Sequence, residues 1–198
     1  MKEISSNQLN IRNDITYEIN SRSPFTGFGV QHYNSGELRS KTSYKNGKLD
    51  GEICVYYPNG NLKSKGTHKN GKLDGLVVNN DTNGKLLSTY ITKNDKLNGP
   101  TKFYDVNGTL ESIITYKNNK LDGPYVTYRD DQLMEMHTYK NGERDGPFEI
   151  YVDNDKSLIE YIRGSYSKGE LDGPYEILYP NGQLKEKRTY KDGKLLPD

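Results

Sequence analysis

The chain has 198 residues, of which 31% are apolar and 28% charged, with a formal net charge of +1. That length allows one or two domains. The low apolar content argues against one large hydrophobic core, and the balanced charge gives no reason to expect a nucleic-acid partner and removes the self-repulsion of a disordered polar chain.

Residues 1–26 come first and carry no apolar stretch of signal-peptide type. They are expected to cap one end of the remaining chain. No run of residues approaches the ~20 apolar residues of a membrane helix. Two locations stay open: cytoplasmic if Met1 is the native start, secreted or cell-surface if a signal has been removed. Cys54, the single cysteine, stands in "EICVYY" and is expected to be a small apolar strand residue.

From Gly27 onward the chain repeats itself. The heptapeptide "KNGKLDG" stands at 45–51 and again at 69–75, with worn copies at 93–99, 117–123, 140–146 and 167–173. Counting the glycine of each Asp-Gly as position 1 gives units 27–50, 51–74, 75–98, 99–122, 123–145, 146–172 and 173–198. Leucine recurs at position 12 (Leu38, Leu62, Leu86, Leu110, Leu184), and Tyr44, Tyr116, Tyr139, Tyr166 and Tyr190 share position 18. Position 6 holds Tyr56, Tyr104, Tyr128 and Tyr151. The third unit lacks a tyrosine there, and the sixth carries three extra residues.

Each unit has two turn signals, an Asn-Gly or relative near its middle and another in the heptapeptide. Asn-Gly suits the type I′ turn of a β-hairpin. Between the signals lie runs of about six to eight residues rich in Tyr, Ile, Val and Thr, too short for helices. Each unit therefore reads as one hairpin. The whole reads as an all-β, elongated, single-layer, twisted antiparallel meander of about seven repeats of ~24 residues. The 17 tyrosines suit such a thin structure, because each buries a ring and keeps one polar atom wet. In the Asp-Gly pair the glycine permits a close bend and the aspartate can cap the turn.

No residue constellation reads as an active site, and the expectation is a non-enzymatic protein with no cofactor and no metal. His32, His68 and His137 fall in different columns, without metal-ligand spacing. No phosphate-binding loop occurs. "DNDKS" at 153–157 hints at a calcium loop but lacks its closing glutamate.

Two features could bind a partner. The first is the aromatic spine, with Tyr56, Tyr104, Tyr116, Tyr128, Tyr139 and Tyr151 as candidate contacts for a protein. Packing between repeats explains the same tyrosines. The second is a row of cations at the heptapeptide turns: Lys45, Lys48, Lys69, Lys72, Lys93, Lys96, Lys117 and Lys120. They could meet anionic lipid or an acidic partner, although Asp50, Asp74, Asp122, Asp145 and Asp172 offset much of their field. A solvated turn edge explains the same row. Free edge strands make end-to-end self-association a further expectation.

The units "GEICVYYPNGNLKSKGTHKNGKLD" and "GPYEILYPNGQLKEKRTYKDGKL" resemble MORN repeats in their bacterial variant. "LNIRNDITYEINSRSPFTG" (Leu9 to Gly27) resembles the lead-in of the YwqK-type antitoxin-like proteins. The resemblance implies a protein-binding scaffold of antitoxin or immunity type that neutralises a toxin-like or surface protein by occlusion. The alternative it leaves is a secreted or surface module touching membrane lipid or host surfaces.

Overall fold

The computed structural model describes residues 1–154 and 157–197. These residues hold twenty strands and a single 3-10 turn, Ser6–Gln8, so the chain is all-β as its hairpin pattern predicts. No helix among them is long and apolar enough to cross a membrane. The chain divides into two compact units, Met1–Asn98 and Gly99–Asp198.

In the first unit the strands Gly27–His32, Leu38–Lys45, Lys48–Tyr56, Leu62–Lys69, Gly75–Asn80 and Leu86–Lys93 pair antiparallel in chain order. One pair departs from the antiparallel expectation. Glu3–Ser5 runs parallel to Gly27–His32. The long stretch between them supplies the crossover that a parallel pair needs. That stretch forms a separate two-stranded sheet, Leu9–Arg12 with Ile15–Glu18. It is tied down where the Thr16 N–H donates to Gly47 O (2.8 Å) and the Gly47 N–H donates to Phe25 O (2.7 Å). Thr16, Phe25 and Gly47 are all buried.

In the second unit the strands Leu110–Lys117, Lys120–Arg129, Gln132–Lys140, Glu143–Asn154, Ser157–Ser167, Gly173–Leu178 and Leu184–Lys191 follow the same rule. The end of Lys96–Tyr104 precedes them, paired with Leu110–Lys117.

The two turn signals fold differently. At the heptapeptide both central residues take positive φ, for example Asn70 (52°) with Gly71 (88°) and Asn141 (53°) with Gly142 (98°). That is the type I′ geometry the sequence predicts. At "YPNGN" only Gly60 does so (84°), and its N–H donates back to Tyr57 O at 2.9 Å. This is a type I turn closed by a left-handed glycine. Pro58 favours it, since proline presets the φ of the first central residue. The mid-unit turn Asp130–Asp131 is the exception, with both residues at positive φ.

The Asp-Gly pair bends each long strand. Thr42 lies opposite Ile53, yet Tyr44 lies opposite Leu49, so two extra residues bulge out on the second strand. The aspartates do cap a turn, but the turn belongs to the next hairpin. Asp50 Oδ2 accepts the Asn70 N–H at 3.1 Å, and Asp122 Oδ2 accepts the Asn141 N–H at 3.1 Å. Beside these bonds the Gly71 N–H donates to Leu49 O (2.7 Å) and the Gly142 N–H to Leu121 O (2.8 Å). These heptapeptide turns therefore rest on the turn before them within each unit.

The buried apolar residues among those described are scattered: Phe25, Val30, Val77, Val126, Phe148 and Leu178. Many small cores replace one large one, as the composition requires.

Candidate functional site

Residues directly opposite across a strand pair share a face, and successive residues alternate faces. In the second unit the register therefore sorts the side chains into two faces. On the first face lie Thr101, Ile114, Tyr125, His137 and Phe148, each opposite the next. Beside them run Tyr116, Tyr139, Tyr166 and Tyr190, each opposite the glycine of an Asp-Gly pair. A Cβ on Gly123 or Gly146 would press on Thr115 or Thr138 of the preceding strand.

The rings from His137 to Tyr190 form one chain of contacts, and Tyr125 meets Tyr139 in a separate pair at 6.3 Å. His137 stacks on Phe148 with centroids 5.6 Å apart, Phe148 meets Tyr166 at 5.0 Å and Tyr175 at 6.1 Å, and Tyr175 meets Tyr190 at 5.9 Å. His137 is buried, with Nε2 2.5 Å from Glu135 Oε1.

On the second face one row reads Lys102, Ile113, Val126, Met136, Glu149, Arg163, Glu176 and Lys187, neighbour opposite neighbour. It is apolar in the middle strands and alternates in sign from Glu149 on. Arg163 and Lys187 both bridge to Glu176, at 2.7 and 3.2 Å, and hold its carboxyl below the usual range. The adjoining row pairs Tyr104 with Leu110, Tyr128 with Leu133 and Tyr151 with Tyr161. The Tyr151 and Tyr161 rings sit 4.8 Å apart. Burial, reinforced by the hydrogen bond that the hydroxyl donates to the Glu149 carboxylate, pushes the Tyr161 hydroxyl up to about 12.

Together the two rows make an apolar and tyrosine-rich patch. It includes a cavity of about 470 Å³ lined by Gln132, Leu133, Met134, Tyr151, Asp153 and Leu158.

The six tyrosines singled out in the sequence therefore do not share one face. Tyr104, Tyr128 and Tyr151 line the second face, whereas Tyr116 and Tyr139 lie on the first. Tyr56, in the first unit, lies on the same face as Cys54 and Lys65. Burial raises its hydroxyl, with Cys54 adding to the effect. That face is more polar there: its row reads Val30, Lys41, Cys54, Lys65, Val78 and Thr89. Lys41 bridges to Glu3 and Lys65 to Glu52.

The eight turn lysines are all exposed. Lys45 faces Lys48, Lys69 faces Lys72 and Lys117 faces Lys120 across the closing rung of each turn. None of the eight joins a salt bridge seen among the described residues. A cavity of about 550 Å³ opens beside the first of these turns. Ile11, Tyr44 and Leu49 line it with Lys48, Lys72, Asp14 and Asp95, so its charges balance.

The histidines remain apart, and no group of three His, Cys, Asp or Glu among the described residues could hold a metal. The calcium hint at 153–157 rests on Asp155 and Lys156, which lie outside the described residues.

Sequence reasoning missed Val126, Leu133, Met136 and Tyr161, which complete the patch, because cross-strand register is invisible along one chain. It also passed over Arg144, which interrupts a column of leucines.

Three stretches match the family model described as the MORN repeat variant: residues 49–70, 97–118 and 171–192. Each match runs from the leucine before an Asp-Gly or Asn-Gly pair, through the mid-unit turn, to the first residue of the next heptapeptide turn. It spans one whole structural repeat. No curated protein matches the chain. None of the three stretches reaches the segment from Leu9 to Gly27.

Proposed function

We propose that this chain is a non-enzymatic repeat scaffold that binds a partner protein through the second face of its fourth to sixth repeats. The observation that carries this reading is the two-row patch of Ile113 and Met136, flanking the buried Val126, beside Tyr104, Tyr128, Tyr151, Leu133 and Tyr161. Tyrosine at the centre of an apolar patch is the composition of a binding hot spot. MORN repeats are in general modules that bind proteins or membranes, which supports a scaffold role. The lead-in resemblance favours a toxin-like partner, held and occluded in the manner of an immunity protein.

The test is quantitative capture from source-cell lysate under high salt, with the native chain and a Tyr128→Ala/Tyr151→Ala variant of unchanged circular dichroism. A single stoichiometric partner that the variant loses is the expected outcome. Equal recovery by both proteins would sink the reading.

One observation favours a second reading, contact with anionic lipid. Lys45, Lys48, Lys69, Lys72, Lys93 and Lys96 stand exposed on three successive turns of the first unit, and two of those turns close on like charges. Flotation with phosphatidylserine vesicles at low salt should then recover the protein, and added salt should release it. No flotation at low salt removes this reading.

A further inference from the structure

Two residues before each Asp-Gly glycine stands a leucine, at Leu49, Leu73, Leu97, Leu121 and Leu171; the fifth repeat alone has Arg144 there. Across the strand pairs the column meets an aromatic ring: Tyr44 faces Leu49, Tyr116 faces Leu121 and Tyr166 faces Leu171. Tyr139 faces Arg144. A guanidinium has therefore taken the place of an aliphatic contact within the ring column of the first face.

It is held there by two phenols. Arg144 Nε points to Tyr139 Oη at 3.5 Å and Nη1 to Tyr166 Oη at 3.3 Å. Its central carbon lies 5.2 Å from the centroid of the Tyr166 ring. Arg144 is exposed, and no carboxylate pairs with it among the described residues. The acids around it have other contacts. Glu143 faces Lys140 across its turn, and Asp145 Oδ2 accepts the Lys168 N–H at 3.4 Å.

We propose that Arg144, seated on Tyr139 and Tyr166, is a carboxylate-binding point for an acidic segment of a partner protein. A guanidinium carries five N–H donors, and the two phenols engage only two of them. The remaining donors face solvent in the planar fork that grips a carboxylate through paired hydrogen bonds. Ring contacts on one side restrict the side chain before binding, which lowers the ordering cost of capture. Arginine and tyrosine are also the residues that dominate interface energetics. This site extends the binding-scaffold reading to the opposite face of the same unit.

The test titrates the full chain with a hexaglutamate peptide, with hexaglutamine and inorganic phosphate as controls. The variants are Arg144→Leu, which restores the residue of the other repeats and so keeps the fold, Arg144→Lys, and Lys117→Ala/Lys120→Ala. The native chain should bind hexaglutamate over hexaglutamine. Arg144→Leu should weaken that binding about tenfold or more, the scale of a lost charge-assisted pair, and Arg144→Lys should fall between. The turn-lysine variant should bind nearly as the native chain does. Undiminished binding by Arg144→Leu overturns the proposal, as does no binding by the native chain, or phosphate binding as tight as the peptide's. A Tyr128→Ala/Tyr151→Ala variant should bind hexaglutamate unchanged, so failure of the second-face patch leaves a separate signature.

Discussion

At the residue scale, the glycine of Asp-Gly does two jobs. Gly146 takes φ +118°, in the region that side-chain-bearing residues rarely adopt, and it lies opposite Tyr166. A Cβ added there would stand 3.0 Å from Thr138 Cβ. Gly146→Ala should therefore cost about 1–3 kcal/mol of stability, read as a lower urea midpoint. Gly108 is a useful contrast, with positive φ but nothing within 4 Å of an added Cβ. Gly108→Ala carries backbone strain alone and should cost less. The first glycine was legible as a bend. Its second job, clearing Thr138 on the neighbouring strand, was not, because strand register alone brings the two together.

At the scale of the strand pair, charge decides two outcomes. Lys117 and Lys120 oppose each other at the closing rung of a hairpin, and like charges there are unfavourable. The fifth repeat has Lys140 opposite Glu143 at the same rung. Lys120→Glu should thus raise stability by about 0.2–1 kcal/mol in denaturant titration, while weakening any attraction to anionic vesicles.

The ladder of Glu149, Arg163, Glu176 and Lys187 makes the second prediction at this scale. Glu176 is held below its ordinary carboxyl range, first by Arg163 and then by Lys187. Its stabilisation is present above the unfolded value, near pH 4.5, and is lost as pH falls through the lower folded value. The native chain should lose stability on acidification through that window, and Glu176→Gln should show a flatter decline. Parallel denaturation curves for the two proteins would count against the ladder.

At the scale of the whole molecule, nearly every pairing joins strands that follow one another in the chain, and burial is spread over small clusters. Such arrays unfold through nearest-neighbour terms rather than one global event. Amides of Leu184–Lys191, whose side chains are almost all exposed, should exchange with deuterium well before those of Lys120–Arg129, which packs between two strands. Uniform exchange across both strands would contradict a stepwise array. Among the described residues the second unit holds strands and no helix.

The repeat period, the all-β class, the hairpin unit and the turn lysines could all be read from the chain, because they derive from local spacing and turn chemistry. Asn-Gly signalled a turn in both places, but Pro58 and the partner strands chose which turn formed. The division of the tyrosines between two faces could not be read. It depends on strand register and on a two-residue bulge at each Asp-Gly, and a shift of one residue reverses every side chain. The parallel pairing of Glu3–Ser5 and the seat of Arg144 on two phenols belong to the same class. Both are contacts between segments distant in sequence, which only folding brings together.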